Sequence, residues 1–82
     1  VVITVLFFAR LREALDCREL QLDYAGDVAG LRGELARQKG EVWGEILGDD
    51  NIICAINQAV ATDSAVVKAG DEVAFFPPVT GG

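Results

Sequence analysis

The apolar segment at residues 4–8 (TVLFF) constrains the fold more than any other part of the chain. Its β-branched and aromatic residues favour a strand. Because strand side chains alternate between two faces, Val5 and Phe7 share one face. Leu6 and Phe8 then lie on the other face, which is equally apolar. We therefore expect this strand to be central in a sheet, or to have its second face in contact with something other than water.

Local patterns predict the elements that follow. Asp27 is a suitable N-cap for a helix that ends at Gly40. Gly30 and Gly33 each weaken that helix by about 1 kcal/mol relative to alanine, so packing must hold it. The predicted order is strand, helix, strand, helix, short helix, strand, strand, at residues 4–8, 9–15, 19–23, 27–40, 43–47, 52–56 and 73–76. This order predicts a single α+β domain spanning 1–82, with a mixed sheet and helices on one face.

Composition restricts the classes of partner. Hydrophobic residues make up 51% of the 82 residues, a high share for so small a domain, so some of them must lie on the surface. Contiguous apolar surface commonly marks a partner site. There are 13 acidic and 7 basic residues, a net charge of −6. A phosphate backbone would be repelled, so we expect no nucleic-acid partner. The charge fits a basic protein partner, and it equally fits a role in solubility alone.

The chain lacks the residue sets of a self-contained active site. It has no histidine, a single serine (Ser64), and no glycine-rich phosphate-binding motif. The acidic pairs 49–50 and 71–72 coincide with turn signals and are expected to be solvated. Cys17 and Cys54 lack metal-binding spacing, so we expect no metal, and Cys54 is expected in the core.

The N-terminal segment predicts no membrane association. The apolar run at 1–9 lacks a preceding basic region and is too short to span a bilayer. We therefore expect a protein of the reducing cytoplasm.

The C-terminal tail (77–82, PPVTGG) follows the last strand directly. Pro77 and Pro78 stop the strand because they cannot donate to a ladder. Gly81 and Gly82 have no Cβ and can enter a narrow channel with the terminal carboxylate unhindered. On these residues alone, a flexible tail made for insertion into another protein and an ordinary frayed end are both open.

Three blocks of sequence resemble one known family. They are VLFFA at 5–9 followed by LRE at 11–13, AINQ at 55–58, and GDEVAFFPPVTGG at 70–82. The chain resembles the small subunits of molybdopterin synthases over its whole length. The resemblance implies a ubiquitin-like β-grasp fold, related to the sulfur carrier of the thiazole pathway and to ubiquitin.

The resemblance also implies a chemistry for the end of the chain. An E1-like adenylyltransferase would use ATP to adenylate Gly82, next to Gly81, and a persulfide would convert the acyl-adenylate to a thiocarboxylate. The large synthase subunit, paired with this chain in a heterotetramer, would take the sulfur for a pterin precursor (precursor Z). The carrier itself would bind no cofactor, and the catalytic groups would belong to the large subunit.

The resemblance further implies which residues contact partners. Its partner-binding positions are Phe8, Arg12, Val60, Phe76, Pro77, Pro78, Val79 and Thr80. Phe8, Val60 and Phe76 would form one exposed apolar patch, as the corresponding family positions do. Alternation supports this, because it places Phe8 opposite Val5 and Phe7, and Phe76 opposite Val73 and Phe75. For Phe8 and Phe76 an ordinary core position is the alternative, and for Arg12 a plain surface charge. Two other functions stay open, a thiazole-pathway sulfur carrier and a ubiquitin-like modifier conjugated to lysines. The tail lacks the basic residues that usually precede the glycines of such modifiers, which favours the synthase subunit.

Overall fold

The computed structural model describes residues 2–78. Five of the seven strands in this part of the chain form one sheet in the order β2-β1-β7-β4-β5, and β3 pairs with β6 separately. In the main sheet β1 and β7 are parallel and the other neighbours antiparallel, so the sheet is mixed, as predicted. The elements are β1 (Val2–Phe7), α1 (Arg10–Ala14), β2 (Glu19–Asp23), β3 (Gly26–Asp27), α2 (Val28–Lys39), α3 (Glu41–Leu47), β4 (Ile53–Ile56), β5 (Ala59–Ala61), β6 (Val66–Val67) and β7 (Glu72–Phe76).

The first strand lies inside the sheet, which confirms its predicted position. It pairs with β2 on one side and with β7 on the other. Val5 lies opposite Val73 and Phe7 opposite Phe75. The rings of Phe7 and Phe75 stack with centroids 6.0 Å apart, and both are buried. The centre of the core is thus built by the strands nearest the two ends of the described chain.

The helices pack on the Phe7 and Phe75 face of the sheet, as predicted. Helix α2 buries Val28, Leu31 and Leu35 completely. In α3, the Trp43 ring meets the Phe7 ring edge-on, 5.2 Å between centroids. The same core contains Cys54, only 1% exposed, which confirms its predicted burial.

Arg32 of α2 joins elements that are distant in sequence. Its guanidinium donates to the carbonyl of Leu47 at 2.6 Å and to that of Ile52 at 2.7 Å. It also pairs with the Asp63 carboxylate at 3.1 Å and lies 5.4 Å from the centroid of the Phe75 ring. A charge-assisted network of this kind is worth more than isolated surface pairs because its groups are partly shielded from water. Arg32 therefore fixes the end of α3 and the start of β4 against α2.

The predicted ends of α2 are confirmed. The Gly30 N–H donates to Asp27 Oδ1 at 2.7 Å, which makes Asp27 the N-cap. The helix ends at Lys39, and Gly40 has a φ of 107°, a value that favours glycine.

Three short strands escaped the sequence analysis. β3, β5 and β6 have two or three residues each, too few for an alternating pattern. β5 returns antiparallel to β4 through Asn57 and Gln58, whose φ values of 50° and 72° make the tight left-handed turn of a hairpin. This turn leads directly into the strand that contains Val60.

Tyr24 explains one of the two helix glycines. Its hydroxyl donates to the Asp27 carbonyl at 2.7 Å and occupies the space where a Cβ on Gly30 would lie. The same Cβ would be 3.0 Å from Asp27 Oδ1, the capping atom. At Gly33, by contrast, a Cβ would meet nothing within 4 Å. Of these two glycines of α2, packing thus requires only Gly30.

Among residues 2–78, no helix has the length and apolar character needed to cross a membrane.

The two glycines should respond oppositely to alanine. Gly33→Ala should stabilise the protein by about 1 kcal/mol, the difference in helix propensity. Gly30→Ala should destabilise it by about 1 kcal/mol, because displacing Tyr24 and weakening the Asp27 cap outweigh the same propensity gain. Urea unfolding followed by circular dichroism measures both variants. Equal stabilisation by the two changes would contradict the role given to Tyr24.

Candidate functional site

The sheet face opposite the helices is apolar over the part formed by the ends of β1 and β7 and by β4 and β5, and the residues of this part follow from the strand register. Leu6 pairs with Ala74, Ala74 with Ala55, and Ala55 with Val60, so the four lie in one row across the sheet. A second row pairs Phe76 with Ile53. We call this surface the outer face, formed by Leu6, Phe8, Ile53, Ala55, Val60, Ala74 and Phe76. A contiguous apolar surface formed by several side chains commonly marks a contact with another protein.

The three residues predicted to form an exposed apolar patch all belong to the outer face. Val60 is 76% exposed and Phe8 40% exposed, and Phe76 is half-buried. The Phe8 N–H donates to the Phe75 carbonyl at 3.1 Å, which continues the β1–β7 pairing and brings Phe8 beside Phe76. Phe75 is fully buried, so the predicted register of β7 is confirmed. Phe8 and Phe76 are not core residues.

The parallel pairing of β1 and β7 decides where the tail begins. Because the two strands run in the same direction, β7 ends beside the end of β1 and the start of α1. Pro77 and Pro78 follow Phe76 and are half-buried. The other predicted tail residues, Val79, Thr80, Gly81 and Gly82, lie outside the described residues, and their roles stay predictions.

Arg12 borders the outer face at this same end of the sheet. It is half-buried and lines a concave site of about 330 Å³, which we call the arginine pocket. The pocket is lined by Leu6, Phe7, Phe8, Arg12, Arg18 and Glu19. Sequence reasoning singled out Arg12 but missed Arg18, because one exposed arginine before a strand carries no signal. Leu6, in contrast, was identifiable from the alternation in β1.

The backbone beside the arginine pocket is strained. Ala9 precedes α1 with φ 54° and ψ −134°, and Asp16 follows the helix with a φ of 52°. Residues other than glycine adopt such angles at an energetic cost, and they persist where the surrounding structure fixes them. Two such residues therefore bracket α1 and set the position of Arg12 relative to β1.

The titratable groups of residues 2–78 suit binding better than nucleophilic chemistry. Burial raises the pKa of the Cys54 thiol to about 11, so the thiol stays protonated and unreactive at neutral pH. The backbone N–H of Lys68 and the Asn57 side chain both donate to Asp71 and lower the pKa of its carboxyl, a role in the turn before β7. Among these residues no group of three His, Cys, Asp or Glu side chains is placed to hold a metal ion.

Comparison with known proteins gives one family and several relatives. The model of the ThiS family matches residues 5–82. The molybdopterin synthase sulfur carrier subunit of Haemophilus influenzae is 42% identical over 80 residues, which cover 98% of this chain and 99% of that protein.

Two solved structures share the fold. One belongs to the complex of subunits 1 and 2 of the molybdopterin-converting factor from Helicobacter pylori, with a TM-score of 0.69, 26% identity and full coverage of both chains. The other is the small archaeal modifier protein 1 of Haloferax volcanii, with a TM-score of 0.73 and 27% identity, covering 96% of this chain and 99% of that one. These similarities confirm the expected ubiquitin-like β-grasp fold.

The register of β7 predicts different responses at its two phenylalanines. Phe75→Ala should destabilise the domain by about 3–5 kcal/mol, because it leaves a cavity under Arg32 and beside Phe7. Phe76→Ala should cost under about 2 kcal/mol, because Phe76 is half-buried on the outer face. Thermal unfolding of the two variants tests the register. A larger loss of stability at Phe76 than at Phe75 would reverse the assignment of the faces.

Proposed function

The chain belongs to the ThiS family, and from this membership we propose that it is the sulfur carrier subunit of a molybdopterin synthase. The observation that carries the proposal is the 42% identity, over 98% of the chain, to a relative of that name. The family match extends through the last strand and the tail to Gly82. The outer face, with Pro77 and Pro78 following its residue Phe76, suits a protein that works docked on another.

The proposed chemistry takes place at the carboxylate of Gly82. At neutral pH a terminal carboxylate is ionised and resists attack by a nucleophile. An E1-like adenylyltransferase joins it to the α-phosphate of ATP and releases pyrophosphate. A persulfide sulfur then forms a bond to the acyl carbon as AMP leaves, and reductive cleavage of the S–S bond by a thiol gives the thiocarboxylate. This chain binds no cofactor itself in the proposal, since ATP is held by the activating enzyme.

The large synthase subunit is the proposed acceptor. The outer face docks on it, and the tail carries Gly82 into its active site, where the pterin precursor (precursor Z) receives the sulfur. Pro77 and Pro78 favour an extended backbone, and residues 79–82 span at most about 14 Å when extended. The Helicobacter pylori complex of subunits 1 and 2 supports such pairing. We propose a heterotetramer of two carriers and two large subunits, with every catalytic group on the large subunit.

Free thiols and a negative charge fit the proposed setting. Cys17 and Cys54 are both free, as expected for a protein of the reducing cytoplasm. The net charge of −6 disfavours nucleic acid and leaves a protein as partner.

A ubiquitin-like modifier is the second candidate function. It is favoured by the likeness to the small archaeal modifier protein 1. Intact mass distinguishes the two, because a sulfur carrier isolated from its host gains the mass of one oxygen-to-sulfur exchange, whereas a modifier is found on lysines of other proteins. A thiazole-pathway carrier would show the same exchange but would not co-purify with the large synthase subunit.

Deleting Gly82 should abolish sulfur transfer with almost no change in stability, because the reactive carbon is lost and no core residue is touched. Molybdopterin formation with the large subunit, the activating enzyme, ATP and a sulfur donor measures the first effect. Thermal unfolding measures the second. Full activity of the shortened chain would end the proposal.

Phe76→Asp should weaken binding to the large subunit at least about thirtyfold, because a central aromatic residue of an interface is commonly worth about 2 kcal/mol or more. Val42→Asp is the matched control, since Val42 is 59% exposed and lies on α3, on the helical side of the sheet. Calorimetric titration measures both, and circular dichroism confirms folding. Equal affinities for the two variants would show that the outer face is not the docking surface.

A further inference from the structure

Two arginines that form no ion pair with the described residues line one pocket near the start of the tail. Two of the seven basic residues, Arg32 and Arg37, are held in ion pairs, and Lys39 lies 5.6 Å from the centroid of the Trp43 ring. Within residues 2–78, Arg12 and Arg18 form no ion pair, although both line the arginine pocket. On a molecule of net charge −6, these two arginines of one pocket form a local positive site.

One nitrogen in this site is buried without an acceptor. Arg12 Nε has almost no exposed surface, and no described residue accepts a hydrogen bond from it. A buried N–H of a charged group is unfavourable when it is unpaired, and native structures nearly always satisfy such groups. The site is therefore complete only when an oxygen from outside the described residues reaches it.

We propose that Arg12 and Arg18 receive a carboxylate side chain of the large subunit, at the border of the outer face. This inference rests on the proposed function. It adds to the docking surface a charged site that selects the partner. Leu6 and Phe8 belong both to the arginine pocket and to the outer face, so the two surfaces are continuous. A carboxylate bound in the arginine pocket would thus lie beside Leu6 and Phe8 of this chain.

The chemistry of the pocket favours a carboxylate over a phosphate. A guanidinium presents parallel N–H groups that match the two oxygens of a carboxylate. Glu19 lines the same pocket, and its negative charge opposes a doubly charged phosphate more than a singly charged carboxylate. The apolar walls of Leu6 and Phe8 exclude water once a partner covers them, which strengthens the pairing.

The test compares three single-charge variants in binding to the large subunit. Arg12→Gln and Arg18→Gln each remove a charge from the pocket. Arg10→Gln is the matched control, because Arg10 belongs to the same helix as Arg12 but does not line the pocket. Calorimetric titration should show Arg12→Gln weakened about tenfold to a hundredfold, Arg18→Gln severalfold, and Arg10→Gln near wild type.

The Nε–H signal of Arg12 in nitrogen-15 NMR gives a second readout. On adding the large subunit it should shift and become protected from exchange, and millimolar inorganic phosphate should leave it unchanged. Equal affinity of all three variants, or an unchanged Nε–H signal in the complex, would overturn the inference while the proposed function stands. A shift with phosphate alone would identify a general anion site instead. Failure of the wild type to bind the large subunit would overturn both.

Discussion

The parallel pairing of β1 with β7 is the constraint on which the rest of the molecule depends. It stacks Phe7 on Phe75 at the centre of the core, and it turns the alternate residues of both strands outward. Because parallel strands end on the same side of a sheet, it also brings the start of the tail at Pro77, α1 and the arginine pocket to one end of the sheet. Core and outer face are therefore two faces of one strand pair, and a shift of one residue would exchange them.

Much of this arrangement could be predicted from local sequence. The two-sided apolar run at 4–8 implied an inner strand with a second contact surface, and alternation in β7 separated Phe75 from Phe76. Asp27 and Gly40 marked the ends of α2 correctly, because caps depend on neighbouring residues. Features that depend on contacts between distant parts of the sequence could not be predicted. The three short strands and the contacts of Arg32 with Leu47, Ile52, Asp63 and Phe75 are set by tertiary packing, which sequence spacing does not encode.

The residues of the candidate site divide in the same way, into those that local sequence predicted and those that only the fold brings together. Phe8 and Phe76 follow from strand faces and from the family resemblance, and Val60 from the resemblance alone. The structure places all three on the outer face. Arg18 was missed because only the folded structure shows that it lines the same pocket as Arg12. In the proposed function the outer face and the arginine pocket contribute differently. The apolar area of the outer face supplies affinity, and the two arginines of the pocket select the partner and its orientation.

The outer face also determines how the isolated carrier behaves in solution. Several of its apolar side chains meet water when no partner is present, and surfaces of this kind attract their own copies. The net charge of −6 keeps the copies apart by mutual repulsion at neutral pH. Acidification towards the isoelectric point near 4.3 removes that repulsion while leaving the apolar area unchanged. The surplus of acidic residues thus opposes self-association through the exposed part of the outer face.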